Sequence, residues 1–123
     1  MSCIFCEKKP SFKIIYDSND VYAIFDEFAV SRGHVLIIPK VHQKNWFDLS
    51  LSIQTSMIKA LSVVKEQIDQ DYRPDGYNIG INCGKFAGQT VMHVHLHLIP
   101  RYNGDVPDPT GGIRSVIPDK KIY

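Results

Sequence analysis

The sequence predicts an α+β fold, in which a five-stranded antiparallel sheet packs with one main helix. Five stretches have strand character, and only one long segment has helical periodicity, so no further helices are available to connect parallel strands. The length of 123 residues corresponds to one domain, placed at 1–123 with an irregular tail over 100–123. This tail contains four prolines and three glycines.

The first three predicted strands lie at 13–16, 21–25 and 33–39. The first two are separated by Asp-Ser-Asn-Asp over 17–20, which predicts a turn and therefore an antiparallel hairpin. Pro39 ends the third strand because it has no backbone N–H to donate to a neighbouring strand.

The predicted helix spans 51–71. Apolar residues recur at intervals of four, four, three and four, which places them on one helical face: Ile53, Met57, Leu61, Val64 and Ile68. Ser50 or Ser52 is the expected N-cap, and Arg-Pro-Asp-Gly over 73–76 ends the helix.

The last two predicted strands, 77–83 and 91–99, alternate apolar residues with other residues along the chain. Cys83 has the same parity as Ile79 and Ile81, so we expect a buried core cysteine.

Charge and hydropathy exclude several classes of partner. Fourteen basic residues against 13 acidic ones give a net charge of +1, so we expect neither a nucleic-acid nor a membrane partner. No apolar run approaches the ~20 residues of a membrane span. The first residues lack a signal-peptide pattern, so the expected location is cytoplasmic.

Three of the five histidines, His93, His95 and His97, are spaced two residues apart. In a strand this spacing puts all three on one face. At ~3.3 Å per residue, the first and last lie about 13 Å apart, too far for one metal ion to bind all three easily. The histidines are therefore expected to divide their roles; the alternative is a polar stripe on an edge strand.

A glycine-rich loop over 84–90 precedes the histidines. Its glycines let backbone N–H groups approach an anion, and Gln89 and Thr90 add neutral donors suited to phosphoryl oxygens. A plain turn is the alternative. Cys3 and Cys6 form a CxxC pair, which favours metal or redox chemistry over a disulfide framework; a metal-free thiol pair is the alternative.

The segment His-Val-His-Leu-His-Leu-Ile over 93–99 matches the signature of the histidine triad (HIT) superfamily in full. Further blocks resemble this superfamily over most of the chain: Cys-Ile-Phe-Cys at 3–6, Phe25-Asp26, 33–40, Asn82 and 88–91. The resemblance implies an α+β nucleotide hydrolase or transferase, acting on a purine nucleotide. It also implies a homodimer with a sheet continuing across the subunit boundary.

The resemblance also implies roles for the histidines and their neighbours. His95 would attack the α-phosphorus and form a nucleotidyl-histidine. His97 would contact the α-phosphate, together with Asn82, Gln89 and Thr90.

For the nucleoside, the resemblance implies that Asp26 binds the ribose hydroxyls. Ile4, Phe5 and Phe25 are candidates for the base pocket, with core packing as the alternative for each. His34 is expected to be structural.

A structural zinc ion is also implied, because members with an N-terminal CxxC bind one. Its four ligands would be Cys3, Cys6, His42 and His93, which leaves the rest of the triad for chemistry.

The segments 87–91 and 99–101 look most like the dinucleoside polyphosphate hydrolase branch, with Arg101 or Lys85 holding the leaving phosphates. The adenosine phosphoramidase branch carries a tryptophan near its C-terminus, whereas the single tryptophan here is Trp46. That activity remains an alternative. Two others are a nucleotide-binding regulatory module with incidental hydrolysis, and a zinc-dependent adaptor in which His95 is idle.

Overall fold

The computed structural model describes residues 3–123. Five strands form in this range: β1 (Ile14–Asp17), β2 (Val21–Phe25), β3 (Val35–Pro39), β4 (Gly76–Ile81) and β5 (Leu96–Arg101). The α-helices are α1 (Ile4–Glu7) and α2 (Leu51–Tyr72). Short 3-10 helices lie at Trp46–Asp48, Lys85–Ala87, Gly112–Val116 and Pro118–Lys120.

The strands form one antiparallel sheet in the order β1-β2-β3-β5-β4, so the predicted fold class is confirmed. The β1–β2 hairpin forms where the turn sequence predicts it. β3 lies at the centre of the sheet and all five of its residues are buried, as expected for an apolar strand covered on both faces.

The two faces of the sheet are covered by different helices. α2 packs its buried face, formed by Met57, Ala60, Val64 and Ile68, against one side of the sheet. On the other side, Phe5 of α1 packs with Tyr22, Ile24, Leu36 and Ile38. The Tyr22 hydroxyl donates to the Phe5 carbonyl and ties α1 to the sheet.

α2 begins where the sequence predicts and ends one residue later, at Tyr72. Ser50 is the N-cap, since its side chain accepts a hydrogen bond of 3.2 Å from the Ile53 N–H. Arg73 adopts a left-handed conformation, with φ of 50°, and closes the C-terminus of the helix.

The predicted strand at 91–99 is wrong in its first half, because β5 begins only at Leu96. Residues 91–95 follow an irregular path in which His93 and Val94 are both buried, which a strand with one exposed face would not allow. The Val94 N–H donates to the Gln43 carbonyl at 2.8 Å instead of joining the sheet.

Three smaller expectations are also corrected. β3 begins at Val35 rather than at residue 33, and β4 runs from Gly76 to Ile81. Cys83 is half-buried, not a core residue, because it lies beyond the end of β4, just before the chain turns at Gly84 with φ of 94°.

The tail begins after Arg101, later than the expected residue 100, and contains the two short C-terminal 3-10 helices. It folds back on itself at Gly111, whose φ is 91° and where an added Cβ would lie 2.1 Å from the Lys121 carbonyl oxygen. Within residues 3–123, no helix has the combined length and apolar character needed to cross a membrane.

Candidate active site and metal centre

A cavity of about 320 Å³ lies beside His95 and His97. Its walls come from α1, β2, β3, the segment after β2 and the glycine-rich loop. Most of the residues singled out for substrate binding or catalysis line it: Ile4, Phe5, Asp26, Asn82, Thr90, His95 and His97. The structure thus brings together side chains that are far apart in the sequence.

His95 is held in one tautomer by a main-chain hydrogen bond. Its Nδ1 lies 2.8 Å from the carbonyl oxygen of His93, and since a carbonyl only accepts, Nδ1 carries the proton. The Nε2 atom of the neutral ring therefore keeps its lone pair. The ring packs against Phe5, with centroids 5.1 Å apart. This tautomer of the neutral ring is the one that a nucleophile acting through Nε2 requires.

His97 is set in the opposite tautomer by His34. The Val30 N–H donates to His34 Nδ1 at 3.1 Å, so the proton of neutral His34 lies on Nε2. That Nε2 lies 3.0 Å from His97 Nδ1, which must accept, leaving a proton on His97 Nε2. His97 therefore offers an N–H group to a phosphate oxygen.

His97 is neutral over the physiological pH range. Burial, together with the neighbouring charges of His95 and His34, lowers its pKa to about 4. Burial also lowers the pKa of His34, against the opposing effect of Asp26.

The prediction for His34 was incomplete, because this buried side chain contacts the predicted catalytic histidine. The pairing of Leu36 with His97 in the sheet brings position 34 near the site, but this register is not readable from the sequence. The position of His34 within the block 33–40 that resembles the HIT superfamily is the sequence signal that could have identified it.

Asp26 lies at the end of β2 with its carboxylate held from two sides. Oδ1 accepts from the Phe28 N–H at 2.8 Å, and Oδ2 lies 3.5 Å from His34 Nε2. The carboxylate lines the cavity and has lone pairs free to accept hydroxyl hydrogen bonds.

Two predicted binding residues lie elsewhere. Phe25 is part of the core on the α2 side of the sheet, where its ring lies 6.0 Å from that of Tyr72. The Gln89 side chain is buried and braces the loop: Oε1 accepts from the Gly84 N–H, while Nε2 donates to the Lys44 and Val91 carbonyls. Gln89 therefore holds the loop rather than lining the cavity.

The residues expected to hold leaving phosphates are not positioned for it. The Arg101 guanidinium donates to both oxygens of Asp105, at 2.7 and 2.9 Å, and to Asn78 Oδ1 at 2.6 Å. Lys85 lies on an exposed 3-10 helix and is absent from the cavity lining. Neither basic side chain reaches the histidine cavity.

Next to this cavity, Cys3, Cys6, His42 and His93 place one ligand atom each within 4.8 Å of one another. His93 Nδ1 lies 3.4 Å from Cys3 Sγ, 3.5 Å from Cys6 Sγ and 3.1 Å from His42 Nδ1. Ligands of a tetrahedral zinc ion, with bonds of about 2.0–2.3 Å, lie roughly 3.3–3.8 Å apart. The spacing of the four residues therefore fits a closed zinc site.

The tautomer of His93 also fits. Its Nε2 donates to the Pro39 carbonyl at 2.7 Å, so Nδ1 directs a lone pair toward the two thiols and His42. Burial lowers the pKa of His93, which favours the neutral form that binds metals.

Asp26, His34 and His97 form a second group with metal-ligating atoms. Hydrogen bonding argues against a metal there, because His34 Nδ1 accepts from Val30 and its Nε2 carries the proton. A protonated nitrogen has no lone pair for a metal. This group is therefore a hydrogen-bonded relay that fixes His97.

Comparisons with known proteins agree with this geometry. A family model described as HIT domain matches residues 7–104. The chain is 38% identical over 109 residues to "Adenosine 5'-monophosphoramidase HNT1" of Candida albicans, covering 81% of this chain and 70% of that protein.

Two solved structures have the same fold. A HIT family protein from Bacillus anthracis superposes with a TM-score of 0.80 at 37% identity, covering 85% of this chain and 76% of that one. A zinc-bound histidine triad family protein from Mycobacterium smegmatis gives a TM-score of 0.78 at 36% identity, covering 88% and 85%. The chain therefore belongs to the HIT family, whose members include nucleotide hydrolases.

Proposed function

We propose that this protein hydrolyses a purine nucleotide derivative at its α-phosphate through a covalent nucleotidyl-His95. The observation that carries the proposal is the His95 tautomer, which in the neutral ring leaves the Nε2 lone pair free beside a cavity lined by Phe5, Asp26 and His97. The Candida albicans relative, by its name an adenosine monophosphoramidase, supports an adenylyl substrate.

Binding places the base and ribose in the apolar half of the cavity. Phe5 and Ile4, both on α1, are the proposed base contacts, and Asp26 accepts the ribose hydroxyls. The α-phosphate then lies among His95, His97 and Asn82.

In the first half-reaction, the His95 Nε2 lone pair forms a bond to phosphorus while the bond from phosphorus to the leaving atom breaks. The leaving group departs with the bonding electron pair and takes a proton from solvent. In the second half-reaction, water attacks phosphorus, His95 Nε2 recovers its electron pair, and the proton of water passes to solvent.

Neutral donors stabilise the charge of the transferring group. The His97 Nε2–H group, the Asn82 amide and the Thr90 hydroxyl line the cavity at the proposed phosphate position. Because the His97 ring is held by His34 before substrate binds, this donor needs little reorganisation during the reaction. His97 and Asn82 thus act through hydrogen bonding rather than through net positive charge.

A structural zinc ion, held by Cys3, Cys6, His42 and His93, is part of this proposal. When bound, the ion supplies a crosslink between the N-terminal segment and the segment before β5. The N-terminal segment carries Phe5, and the His93 carbonyl orients His95. Metal binding and substrate binding therefore stabilise the same arrangement.

We also propose a homodimer. β4 pairs with β5 on one side, and within residues 3–123 no strand pairs with its other edge. Ile79 on this strand is 48% exposed. An unpaired apolar edge favours pairing with a second copy about a two-fold axis.

Two leaving groups are candidates within this reaction. The motifs at 87–91 and 99–101 favour a dinucleoside polyphosphate. An amine, as in an adenosine phosphoramidate, is favoured by the absence of free Lys or Arg side chains from the cavity among the described residues. Rates on diadenosine tri- and tetraphosphates and on a phosphoramidate, measured side by side, separate the two.

Substitution of His95 tests the chemistry. His95→Ala removes the nucleophile, and we expect kcat to fall by about 10⁴-fold or more. Folding, measured by circular dichroism, and AMP binding, measured by calorimetry, are expected to persist. Hydrolysis at the parent rate would contradict the covalent mechanism.

A further inference from the structure

Glu27 is a charged side chain at the cavity beside His95 that the proposed reaction does not use. Its carboxylate lines the cavity, and the side chain is 34% exposed, so it is available to a bound molecule. The other polar side chains that line this cavity within residues 3–123 already have proposed contacts to ribose or phosphate: Asp26, Asn82, Thr90, His95 and His97. Glu27 is therefore the group left to contact the base.

Aromatic contacts connect the catalytic end of the cavity to the position of Glu27. The Phe5 ring lies 5.1 Å from the His95 ring and 6.2 Å from the Phe12 ring, between centroids. Ser11, the neighbour of Phe12 in the chain, donates its hydroxyl to Glu27 Oε2 at 3.0 Å. A nucleotide with its phosphate at His95 and its base on Phe5 would therefore direct the edge of the base toward Glu27.

A tight turn places Asp26, Glu27 and Phe28 together at the cavity. Asp26 Oδ1 accepts from the Phe28 N–H at 2.8 Å, which fixes the path of the chain over 26–28. The Phe28 side chain is 87% exposed and lines the cavity, so a bound base would cover it. Aromatic rings stack on every base and add affinity without much discrimination. Discrimination between bases must therefore come from a polar contact.

The Glu27 carboxylate has acceptor positions free for such a contact. The Ser11 hydroxyl occupies one lone pair of Oε2. The Lys9 ammonium lies 4.0 Å from Oε1, which is too far for a hydrogen bond, so it offsets part of the charge without occupying that oxygen. A carboxylate accepts hydrogen bonds through both oxygens and donates none. Glu27 therefore favours a base whose exposed edge carries two donors.

The purine bases differ at the edge that a carboxylate would contact. Guanine has two adjacent donors there, N1–H and the exocyclic N2 amine, which match the two oxygens of a carboxylate. Adenine has one donor, the N6 amine, beside the unprotonated N1, whose lone pair would face a carboxylate oxygen. A site built to accept hydrogen bonds rejects the ligand that leaves an acceptor unpaired. Guanine is therefore the complementary purine.

We propose that Glu27 is a specificity-determining residue, which binds the N1–H and N2 amine of guanine and selects guanosine nucleotides over adenosine nucleotides. The inference rests on the proposed nucleotide site at His95, and it departs from the adenylyl substrate that the name of the Candida albicans relative supports. In this arrangement Phe5 and Phe28 contact the base, Asp26 accepts from the ribose, and Ser11 holds the Glu27 carboxylate in place.

The test uses the full-length, zinc-supplemented protein and three nucleotides that differ only in the base: GMP, IMP and AMP. Calorimetry gives the dissociation constant of each. We expect the constant for AMP to exceed that for GMP by about tenfold or more, since a bidentate contact is replaced by a single one. IMP keeps N1–H and lacks the N2 amine, so its constant is expected to lie between the other two.

Glu27→Gln keeps the size of the side chain and replaces one acceptor oxygen by an amide NH₂ group. The amide can donate to adenine N1 and accept from the N6 amine, so we expect AMP to bind more tightly and GMP more weakly. The AMP-to-GMP ratio of dissociation constants is expected to fall by about tenfold or more. The loss of one negative charge affects every nucleotide phosphate equally and cancels in the ratio.

Two further variants support the comparison. Glu27→Ala removes the acceptor without adding a donor, so it is expected to weaken GMP binding and to leave AMP binding in place, which also shows that the variant is folded. Glu66→Gln is the matched control, because Glu66 is exposed on α2, is absent from the cavity lining and undergoes the same chemical change. Its ratio is expected to equal that of the parent protein.

The outcomes separate base selection from the reaction itself. Equal affinity of the parent protein for GMP and AMP, tighter binding of AMP, or an unchanged ratio in Glu27→Gln overturns the role of Glu27 and leaves the reaction intact. Selective binding of GMP without turnover of guanosine 5′-phosphoramidate, and without guanylylated His95 by mass spectrometry, overturns the reaction and leaves base selection intact. Absence of binding by all three nucleotides overturns both proposals.

Discussion

The tautomers of His93, His95 and His97 are each set by a different neighbour: the Pro39 carbonyl, the His93 carbonyl and His34. As a result, three rings of the same chemical type present a lone pair to the proposed metal site, a lone pair at the proposed nucleophile and an N–H donor. The motif spacing alone predicts that their roles divide, but only the hydrogen bonds show how.

The low pKa of His97 predicts that the free energy of unfolding decreases in acid. In the unfolded chain a histidine titrates near 6.5, whereas folded His97 titrates at about 4. Between these values the unfolded state binds more protons, so the free energy of unfolding falls as pH falls from 6.5 toward 4. We expect His97→Asn to weaken this pH dependence, as measured by urea unfolding at several pH values.

NMR titration of the histidine rings measures the same property directly. The His97 resonances are expected to shift only below about pH 5. A midpoint near 6.5 would contradict the hydrogen-bonded relay through His34.

At the scale of elements, the sequence predicts the hairpin, the central strand and α2 because each depends on local patterns: a polar turn, an apolar run and a 3.6-residue period. The path of 91–95 is not predictable in this way. Alternation continues through it in the sequence, yet the Val94 N–H bonds to Gln43, which lies far away in the chain. The same holds for His34, whose contact with His97 is set by the register of β3 and β5.

The α2 N-cap gives a prediction with an internal control. Ser50→Ala removes the hydrogen bond to the Ile53 N–H and is expected to lower the free energy of unfolding by about 1 kcal/mol. Ser52→Ala, at the second residue of the helix and exposed, is expected to change it by less than about 0.5 kcal/mol. Equal effects of the two substitutions in urea unfolding would exclude Ser50 as the cap.

At the scale of the whole molecule, the proposed zinc ion joins the N-terminal segment to the segments that follow β3 and precede β5. Metal analysis is expected to find about one zinc per chain, and chelation to lower Tm by roughly 10 °C. Cys6→Ser should abolish the effect of the chelator. Cys83→Ser should retain it, because Cys83 lies outside the four-residue group.

The proposed dimer is tested by light scattering after gel filtration. We expect a mass of about twice the 14.0 kDa of one chain. Ile79→Lys places a charge at the free edge of β4 and is expected to shift the mass toward one chain. Ile58→Lys is the control, since Ile58 is half-exposed on α2. A monomer at micromolar concentration in the parent protein would exclude the dimer.

His93 contributes to the site through both its side-chain ring and its main-chain carbonyl, and the two respond differently to substitution. The ring belongs to the metal-ligating group, but the group that orients His95 is the main-chain carbonyl, which every amino acid possesses. No substitution at position 93 can remove that carbonyl. A substitution can only change the position of the carbonyl relative to the His95 ring. A cysteine at this position could therefore preserve both ligation and catalysis, whereas an alanine would lose activity through displacement of the peptide group rather than through loss of a functional atom.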